Sequence, residues 1–437
     1  MTEVASPDKV ALDHAIVDRR FRRGMSWNLV AAASNQGSTF LVNVILANLL
    51  GRHSFGQYAM VLSTIQVGAL VAGLAMGYTA MKYLAEFRTT DPDRAGRVLG
   101  FCDALSAGTA ILAGLALFFG APALASRALH APELTPLLKI AAGACLCLTV
   151  NGFLIGGLSG LERYRTLGKA GVAAGLAYVG ICVGFARARG LEGAVAGLFA
   201  AALVQLILLR YLLAREAARQ GIKTTYRASG TERGMLLHFA LPAALGGLTT
   251  MPALWVGQAI LARRPGGYEQ LAVYVAAYNL ATIALFLPSV ANSVGMSLLN
   301  SVRGTGDTKA YRRVFWTNLR VTTGVVIAGA VVMGATGRYL LRAYGPTFLS
   351  GAPVLIVLLA GIVAEALTMA LYQVVQSRER MWHGVRAIVL PRDLAVPLLA
   401  LALVPSHGAA GLAWAYLLAR AIGLCTTGLT VYRIGLS

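Results

Sequence analysis

Several charged side chains lie inside long apolar runs of the sequence, where burying a charge costs free energy. Glu365 lies near the middle of the run 352–375, and Arg420 lies near the middle of the run 410–431. An ionised group at bilayer depth costs about 2.5–3.5 kcal/mol on insertion scales, so it usually faces a wet cavity or an opposite charge. The two residues could therefore form an ion pair that clamps two helices, or they could serve a transport site. In a cavity, burial would make Glu365 a candidate for proton-linked coupling.

Two further arginines lie near the ends of apolar runs. Arg320 and Arg392 fall within two turns of a run end, where long side chains often snorkel toward the interface. Pro391 and Pro397 bracket Arg392, and prolines bend helices and free backbone carbonyls. That setting suits the lining of a cavity.

Uncharged polar residues recur on one face of two runs. The candidate cavity residues of these stripes are Asn28, Asn35 and Asn43 in the first run, and Tyr274, Tyr278 and Asn292 in the eighth. Tyr372 follows Glu365 at helical spacing, on the same face. Interhelical hydrogen bonding would explain a single amide, but a stripe of four or five polar residues favours a polar vestibule.

The sequence lacks the motifs of known catalytic and metal sites. HExxH and GxSxG do not occur, and the six histidines are scattered without ligand spacing. The stretch 304–309 is rich in glycine and threonine but does not match the spacing of a phosphate-binding loop. We therefore predict no enzyme activity, no metal site and no cofactor, apart from coupling to an H+ or Na+ gradient.

Composition decides which elements hold these residues. The sequence is 57% hydrophobic and 13% charged, about half the charge of a typical soluble domain. Apolar stretches long enough to cross a bilayer recur from end to end, which predicts an all-α polytopic membrane protein of about twelve spans. The predicted spans are 25–49, 58–81, 98–120, 137–158, 168–186, 190–213, 235–262, 272–298, 316–336, 352–375, 386–404 and 410–431.

The net charge of +20 has a topological explanation. Most basic residues lie in alternate links between spans and in both termini, so these are predicted to be cytoplasmic. No folded basic domain accompanies them, so we expect no nucleic-acid partner.

The chain divides into two sets of six predicted spans. A shift of 215 residues aligns Arg88 with Arg303, and it aligns Gly193-Ala194 with Gly408-Ala409. The predicted parts are a cytoplasmic N-terminal segment at 1–24, a six-helix lobe at 25–213, a cytoplasmic linker at 214–234 and a second six-helix lobe at 235–437. An even number of spans predicts lobes related by a pseudo-two-fold axis along the membrane normal.

The links between spans resemble those of a known family. The matching stretches are Leu50-Gly51-Arg52-His53-Ser54-Phe55-Gly56-Gln57-Tyr58, Gly156-Gly157-Leu158-Ser159-Gly160-Leu161-Glu162-Arg163-Tyr164, Phe239-Ala240-Leu241-Pro242, Val273-Tyr274-Val275-Ala276-Ala277-Tyr278 and Tyr344-Gly345-Pro346-Thr347-Phe348. In order and spacing they are similar to the Wzx-type polysaccharide transporters of the multidrug/oligosaccharidyl-lipid/polysaccharide (MOP) exporter superfamily.

The resemblance implies a MATE-like fold and a location in a bacterial inner membrane. It also implies a flippase that carries polyprenyl-pyrophosphate-linked oligosaccharide from the cytoplasmic to the periplasmic leaflet by alternating access. Arg52, Arg320, Arg392 and Arg420 are then candidates for contacting phosphate or glycan. Membrane lipids and glycan polymerase or assembly proteins are the expected partners. Two alternatives remain: an ion-coupled multidrug or metabolite antiporter of the same superfamily, and a non-transporting scaffold of a glycan assembly complex.

Overall fold

A computed structural model describes residues 7–227, 248–305, 307–378 and 381–435, and every regular element in these ranges is helical. The α-helices are α1 (Pro7–Gly73), α2 (Met76–Phe87), α3 (Pro92–Ala123), α4 (Thr135–Gly160), α5 (Tyr164–Arg219), α6 (Thr250–Ala262), α7 (Gly267–Ile283), α8 (Phe286–Thr305), α9 (Thr308–Ala343), α10 (Ala352–Ser377), α11 (Met381–Gly384) and α12 (Leu390–Ile434). The other regular elements of the described chain are short π turns at Leu124–Ala128 and Val385–Val389 and 3-10 turns at Pro132–Leu134 and Pro346–Gly351.

The helices confirm the all-α polytopic prediction. Within the described ranges, seven helices are long and apolar enough to cross a membrane, and α7 with α8 forms an eighth if this bent pair is one span. The count of twelve spans stays a prediction, as does the cytoplasmic side of both termini. Residues 235–247 of the predicted seventh span, which include the motif at 239–242, lie outside the described residues.

Two of the long helices are hairpins rather than straight rods. A β-carbon placed on Gly197 would lie 2.9 Å from the Cα of Cys182. These residues would be about 22 Å apart in a straight helix, so the chain must reverse between them. The reversal falls at Arg189 and Gly190, which have non-helical backbone angles. It corresponds to the predicted link between the fifth and sixth spans.

The same corner occurs near the end of the chain. Gly408 in α12 has φ 55° and ψ −127°, nearly the angles of Gly190 in α5 (φ 57°, ψ −131°). Three residues later, Gly193 and Gly411 each pass close to a backbone carbonyl eight residues before them. The structurally equivalent glycines are therefore 218 residues apart. The sequence shift of 215 paired Gly193 with Gly408, and this pairing is wrong for this corner. The structure pairs Gly190 with Gly408, because these two glycines have the same left-handed backbone conformation.

Three further breaks interrupt the helices. Gly51 kinks α1 with φ 73° and ψ 171°. Leu74 and Ala75, both with positive φ, separate α1 from α2. The axes of α7 and α8 meet at an angle of 42°. Each of these breaks falls inside or next to a predicted span.

The chain forms two compact units that interleave along the sequence. Unit 1 comprises Met1–Val42, Gly68–Phe119 and Lys139–Ala244, and unit 2 comprises Asn43–Val67, Gly120–Leu138 and Leu245–Ser437. The core of unit 1 joins α2, α3, α4 and α5 through buried side chains that include Phe153 and Leu213. One core of unit 2 includes Phe315 of α9 and Val374 of α10. The predicted six-plus-six division of the chain stays a prediction.

Candidate functional site

An ion pair lies in the interior of unit 2. Arg420 of α12 has 2% of its side chain exposed, and its Nε lies 3.2 Å from the Oε2 of Glu365 on α10. Glu365 keeps 19% of its side chain exposed, so it forms the accessible edge of the pair. The pairing inferred from two charges in the middle of apolar runs is thus present. It joins the last described span to α10.

Asp393 extends this ion pair into a network. Its Oδ1 lies 3.6 Å from the Nη1 of Arg420 and 2.8 Å from the Nε of Arg392. Its Oδ2 accepts hydrogen bonds from the hydroxyls of Thr249 and Thr250, at 2.7 and 2.8 Å. Arg392 also donates to the Thr250 hydroxyl at 2.9 Å. A carboxylate that accepts from this many donors is held in one orientation. It connects the start of α6 to the two segments of α12 that precede and follow Gly408.

Tyrosines line the other side of the ion pair. Tyr416 donates a short hydrogen bond to Oε2 of Glu365, and its ring lies 4.7 Å from the guanidinium carbon of Arg420. Tyr278 packs edge-on against Tyr416 and stacks on Tyr274, with ring centroids 5.7 and 6.0 Å apart. Tyr416 precedes Arg420 by four residues, so helical spacing alone was a signal that sequence reasoning missed.

Two glycines make this packing possible. A β-carbon on Gly361 would lie 2.7 Å from the ring of Tyr416, so only glycine lets the ring approach α10 at this point. A β-carbon on Gly423 would lie 2.7 Å from Cδ of Arg392. The sequence therefore provides clearance where the largest side chains of the network cross a neighbouring helix.

The network is balanced in charge, but some of its hydrogen-bond donors have no acceptor. Two guanidinium groups, those of Arg392 and Arg420, face the two carboxylates of Glu365 and Asp393. Nε and Nη1 of Arg420 are buried and make close charge contacts without the geometry of a hydrogen bond. A planar guanidinium is the group best suited to binding a phosphate oxygen pair.

A second polar cluster in unit 2 consists of amides. Gln373 donates to the side-chain oxygen of Asn292 at 2.9 Å, and Asn318 donates to Gln373 at 3.0 Å and to Asn292 at 3.3 Å. All three side chains are buried. Asn292 therefore takes part in interhelical hydrogen bonding among α8, α9 and α10, which is the alternative weighed against a cavity for its stripe. Asn318 and Gln373 were missed, since neither stands in a polar stripe of its own.

The remaining predicted residues are not gathered into one place. Arg52 donates to the backbone oxygen of Glu269 at 3.4 Å and is half-buried. Arg320 is exposed on α9, and Asn35 is exposed on α1, whereas Asn43 is buried. Tyr372 is half-buried beside Gly384. The side chain of Asn28 lies outside the described part of the structure.

Unit 1 contains a polar site built from α3, α5 and the segment that follows α5. Asp103 of α3 is buried, and its Oδ2 accepts from Arg210 of α5 and from the hydroxyl of Tyr226, each at 2.6 Å. The hydrogen bond to Asp103 raises the pKa of Tyr226 above its usual value. These residues line a cavity of about 150 Å³ together with Leu99, Phe153, Leu213, Ala214 and Thr224.

The segment 222–226, which we term the strap, reaches this site along α3. The amide of Thr225 donates to the oxygen of Gly96 at 3.1 Å. β-carbons on Gly96 and Gly100 would each lie 2.1 Å from a strap carbonyl, that of Lys223 and that of Thr225 respectively. Glycines one turn apart therefore form a groove that holds the strap. Sequence reasoning placed this segment in a linker and did not foresee that it is docked.

Comparisons with known proteins agree with this fold. The family described as polysaccharide biosynthesis protein matches residues 21–299. The EPS I polysaccharide export inner membrane protein EpsE of Ralstonia nicotianae is 24% identical over 364 residues, which cover 82% of this chain and 81% of the relative. These findings confirm the resemblance to polysaccharide transporters at the level of the family.

Solved structures of transporters and a flippase share this fold. An inward-facing multidrug resistance transporter of the MATE family has a TM-score of 0.75 at 13% identity, covering 93% of this chain and 98% of that one. The lipid II flippase MurJ in an inward closed conformation has a TM-score of 0.73 at 12% identity, covering 92% and 87%. The MATE-like fold prediction is confirmed, and these relatives and neighbours are export proteins, transporters or flippases rather than enzymes. Because the family match spans well over half of the sequence, the chain belongs to the polysaccharide biosynthesis protein family.

Proposed function

We propose that this protein carries a lipid-linked oligosaccharide from the cytoplasmic to the periplasmic leaflet of a bacterial inner membrane by alternating access. Membership in the polysaccharide biosynthesis family and similarity to EpsE support a role in polysaccharide export. The fold it shares with MurJ and MATE transporters suits cargo that crosses a bilayer. The lipid tail of the cargo can stay among membrane lipids while its head group passes through the protein.

The observation that carries this proposal is the guanidinium network of unit 2. A polyprenyl-linked glycan bears a phosphate or pyrophosphate that must leave water when it crosses the membrane. Arg420 is buried with two side-chain nitrogens that make no well-formed hydrogen bond, and Arg392 lies 2.8 Å from Asp393 with 14% of its side chain exposed. An entering phosphate would compete with the carboxylates for these donors. Tyr278 and Tyr416 would supply aromatic faces for the sugars.

Charge balance suggests how the cycle could be coupled. Because Glu365 and Asp393 neutralise the two arginines, an anionic cargo makes the site net negative unless a cation enters or a carboxylate is protonated. Glu365 is the more exposed of the two acids, so we propose it as the coupling residue for H+ or Na+. Arg52, Arg320 and the amides of α1 remain proposed cargo contacts. Cytoplasmic termini and membrane-bound glycan assembly partners belong to the same proposal.

Deleting the gene and measuring the sidedness of lipid-linked glycan tests the proposal in cells. We expect glycan to accumulate on the cytoplasmic face, with unchanged tolerance to a panel of cationic drugs. Normal sidedness with lost drug tolerance would instead identify an antiporter.

A second candidate, an ion-coupled antiporter for drugs or metabolites, is favoured by one observation. The network holds as many carboxylates as guanidiniums, so it could also bind a cation through Glu365 and Asp393. Replacing Glu365 by glutamine separates the two functions. An antiporter of cations loses cargo binding, whereas a flippase keeps its affinity for the anionic lipid and loses ion dependence. A non-transporting scaffold would tolerate leucine at Tyr278 and Arg392.

A further inference from the structure

The second predicted span, 58–81, is broken in its last third by residues that prefer an unbroken helix. Leu74 and Ala75 have φ of 43° and 55°, in the left-handed region. Leucine and alanine are among the strongest helix formers, and the left-handed conformation is unfavourable for both. Among the described residues, they are the only adjacent pair of non-glycine residues with positive φ. Local sequence and observed backbone therefore disagree here.

The break also leaves backbone groups without helical partners. α2 begins after Ala75, which provides no side-chain cap for the first amides of the helix. In a continuous helix, the amides of Met76, Gly77 and Tyr78 would donate to carbonyls in the preceding turn. Inside a membrane, irregular backbone is tolerated only where protein or a water-filled cavity surrounds it. A continuous span would satisfy these groups at no cost in conformation.

Packing against α4 holds the broken form in place. A β-carbon on Gly77 would lie 2.6 Å from the oxygen of Gly152, and one on Gly156 would lie 2.1 Å from the oxygen of Gly77. Met76 and Leu84 of α2 are buried in the core of unit 1. Tertiary contacts thus fix the position of α2, while the local sequence favours a different backbone. Such opposition is expected of an element with two accessible arrangements.

We propose that Leu74–Ala75 is a hinge at which the second span changes between a broken and a continuous helix during the transport cycle. The inference rests on the proposed function only in that alternating access requires an element with two states. The hinge residues themselves contact no cargo in this proposal. Their role is to let the span change length and direction while α2 stays packed on α4.

Glycine substitution tests the hinge, because glycine adopts the left-handed conformation without strain. Ala75→Gly should raise the population ratio of broken to continuous helix about five- to thirty-fold, because it removes the conformational penalty of one left-handed alanine. Ala69→Gly is the matched control: Ala69 lies in the same span, is half-buried like Ala75 and has no positive φ. It should weaken both forms equally and leave their ratio unchanged.

The measurement is the distance between spin labels at Val71 and Glu86, both exposed and both in unit 1, in the full protein in lipid nanodiscs. A continuous helix separates their Cα atoms by about 22 Å, and a break shortens the distance. We expect two distance populations, with Ala75→Gly, and likewise Leu74→Gly, enriching the shorter one and slowing transport. A single distance in every variant, or the same distribution in Ala75→Gly and Ala69→Gly, would overturn the hinge. Two distance populations in a protein that moves no glycan would support the hinge and contradict the proposed cargo.

Discussion

Replacing Arg420 with glutamine removes the positive charge that stands between Glu365 and Asp393. The guanidinium is almost fully buried, with one carboxylate at 3.2 Å and the other at 3.6 Å. Removing one partner of a buried pair leaves an uncompensated charge and typically costs about 3–5 kcal/mol. Glu365→Gln should cost less, about 1.5–3 kcal/mol, because Glu365 is partly exposed and its glutamine can still accept from Tyr416.

The double variant Arg420→Gln, Glu365→Gln is the informative control. If the two charges stabilise each other, the double variant is less destabilised than the sum of the single variants by about 0.5–3 kcal/mol. The assay is chemical unfolding of the purified protein in lipid bicelles, read as the free energy of unfolding for all four proteins. Additivity within about 0.3 kcal/mol would refute the reasoning, and so would a cost below about 1 kcal/mol for Arg420→Gln.

Two matched glycine pairs test close packing in each unit. Gly423→Ala places a β-carbon 2.7 Å from an arginine stem in the network of unit 2 and should cost about 1–3 kcal/mol in thermal unfolding, whereas Gly428→Ala, which meets no atom within 4 Å, should be neutral or slightly stabilising. Gly96→Ala should expel the strap and speed tryptic cleavage after Lys223, because the new β-carbon would lie 2.1 Å from a backbone oxygen. Gly108→Ala on the same helix meets open space and should leave the cleavage rate unchanged; equal rates in the two variants would mean that the strap is not docked in solution.

The polytopic all-α character and the central ion pair were predictable because they depend on composition along single runs. A charge in the middle of an apolar stretch needs a partner, and Glu365 and Arg420 were the two most central charges available. Their pairing follows from this cost even without knowledge of how the helices are arranged. The alternation of apolar runs and basic links is equally local, which is why the polytopic all-α fold could be predicted.

Features that depend on which helices touch could not be predicted in the same way. Asn318 and Gln373 are single polar residues on separate helices, and only the tertiary packing brings both to Asn292. The corner glycines were matched with the wrong shift, because glycine and alanine are so common that several alignments fit equally well. Gly190 and Gly408 are distinguished from the other glycines of these links by their left-handed backbone, which cannot be read from the spacing of glycines in the sequence.

Reconstitution of the purified protein tests the central claim most directly. Liposomes are prepared with a fluorescent polyprenyl-pyrophosphate oligosaccharide in both leaflets, and a membrane-impermeant quencher reports how fast the inner pool reaches the outer leaflet. The proposed function predicts that the wild-type protein accelerates this exchange many-fold over protein-free liposomes while a labelled phospholipid stays in its leaflet. Exchange of the glycan lipid at the protein-free rate, or equal scrambling of both lipids, would contradict it.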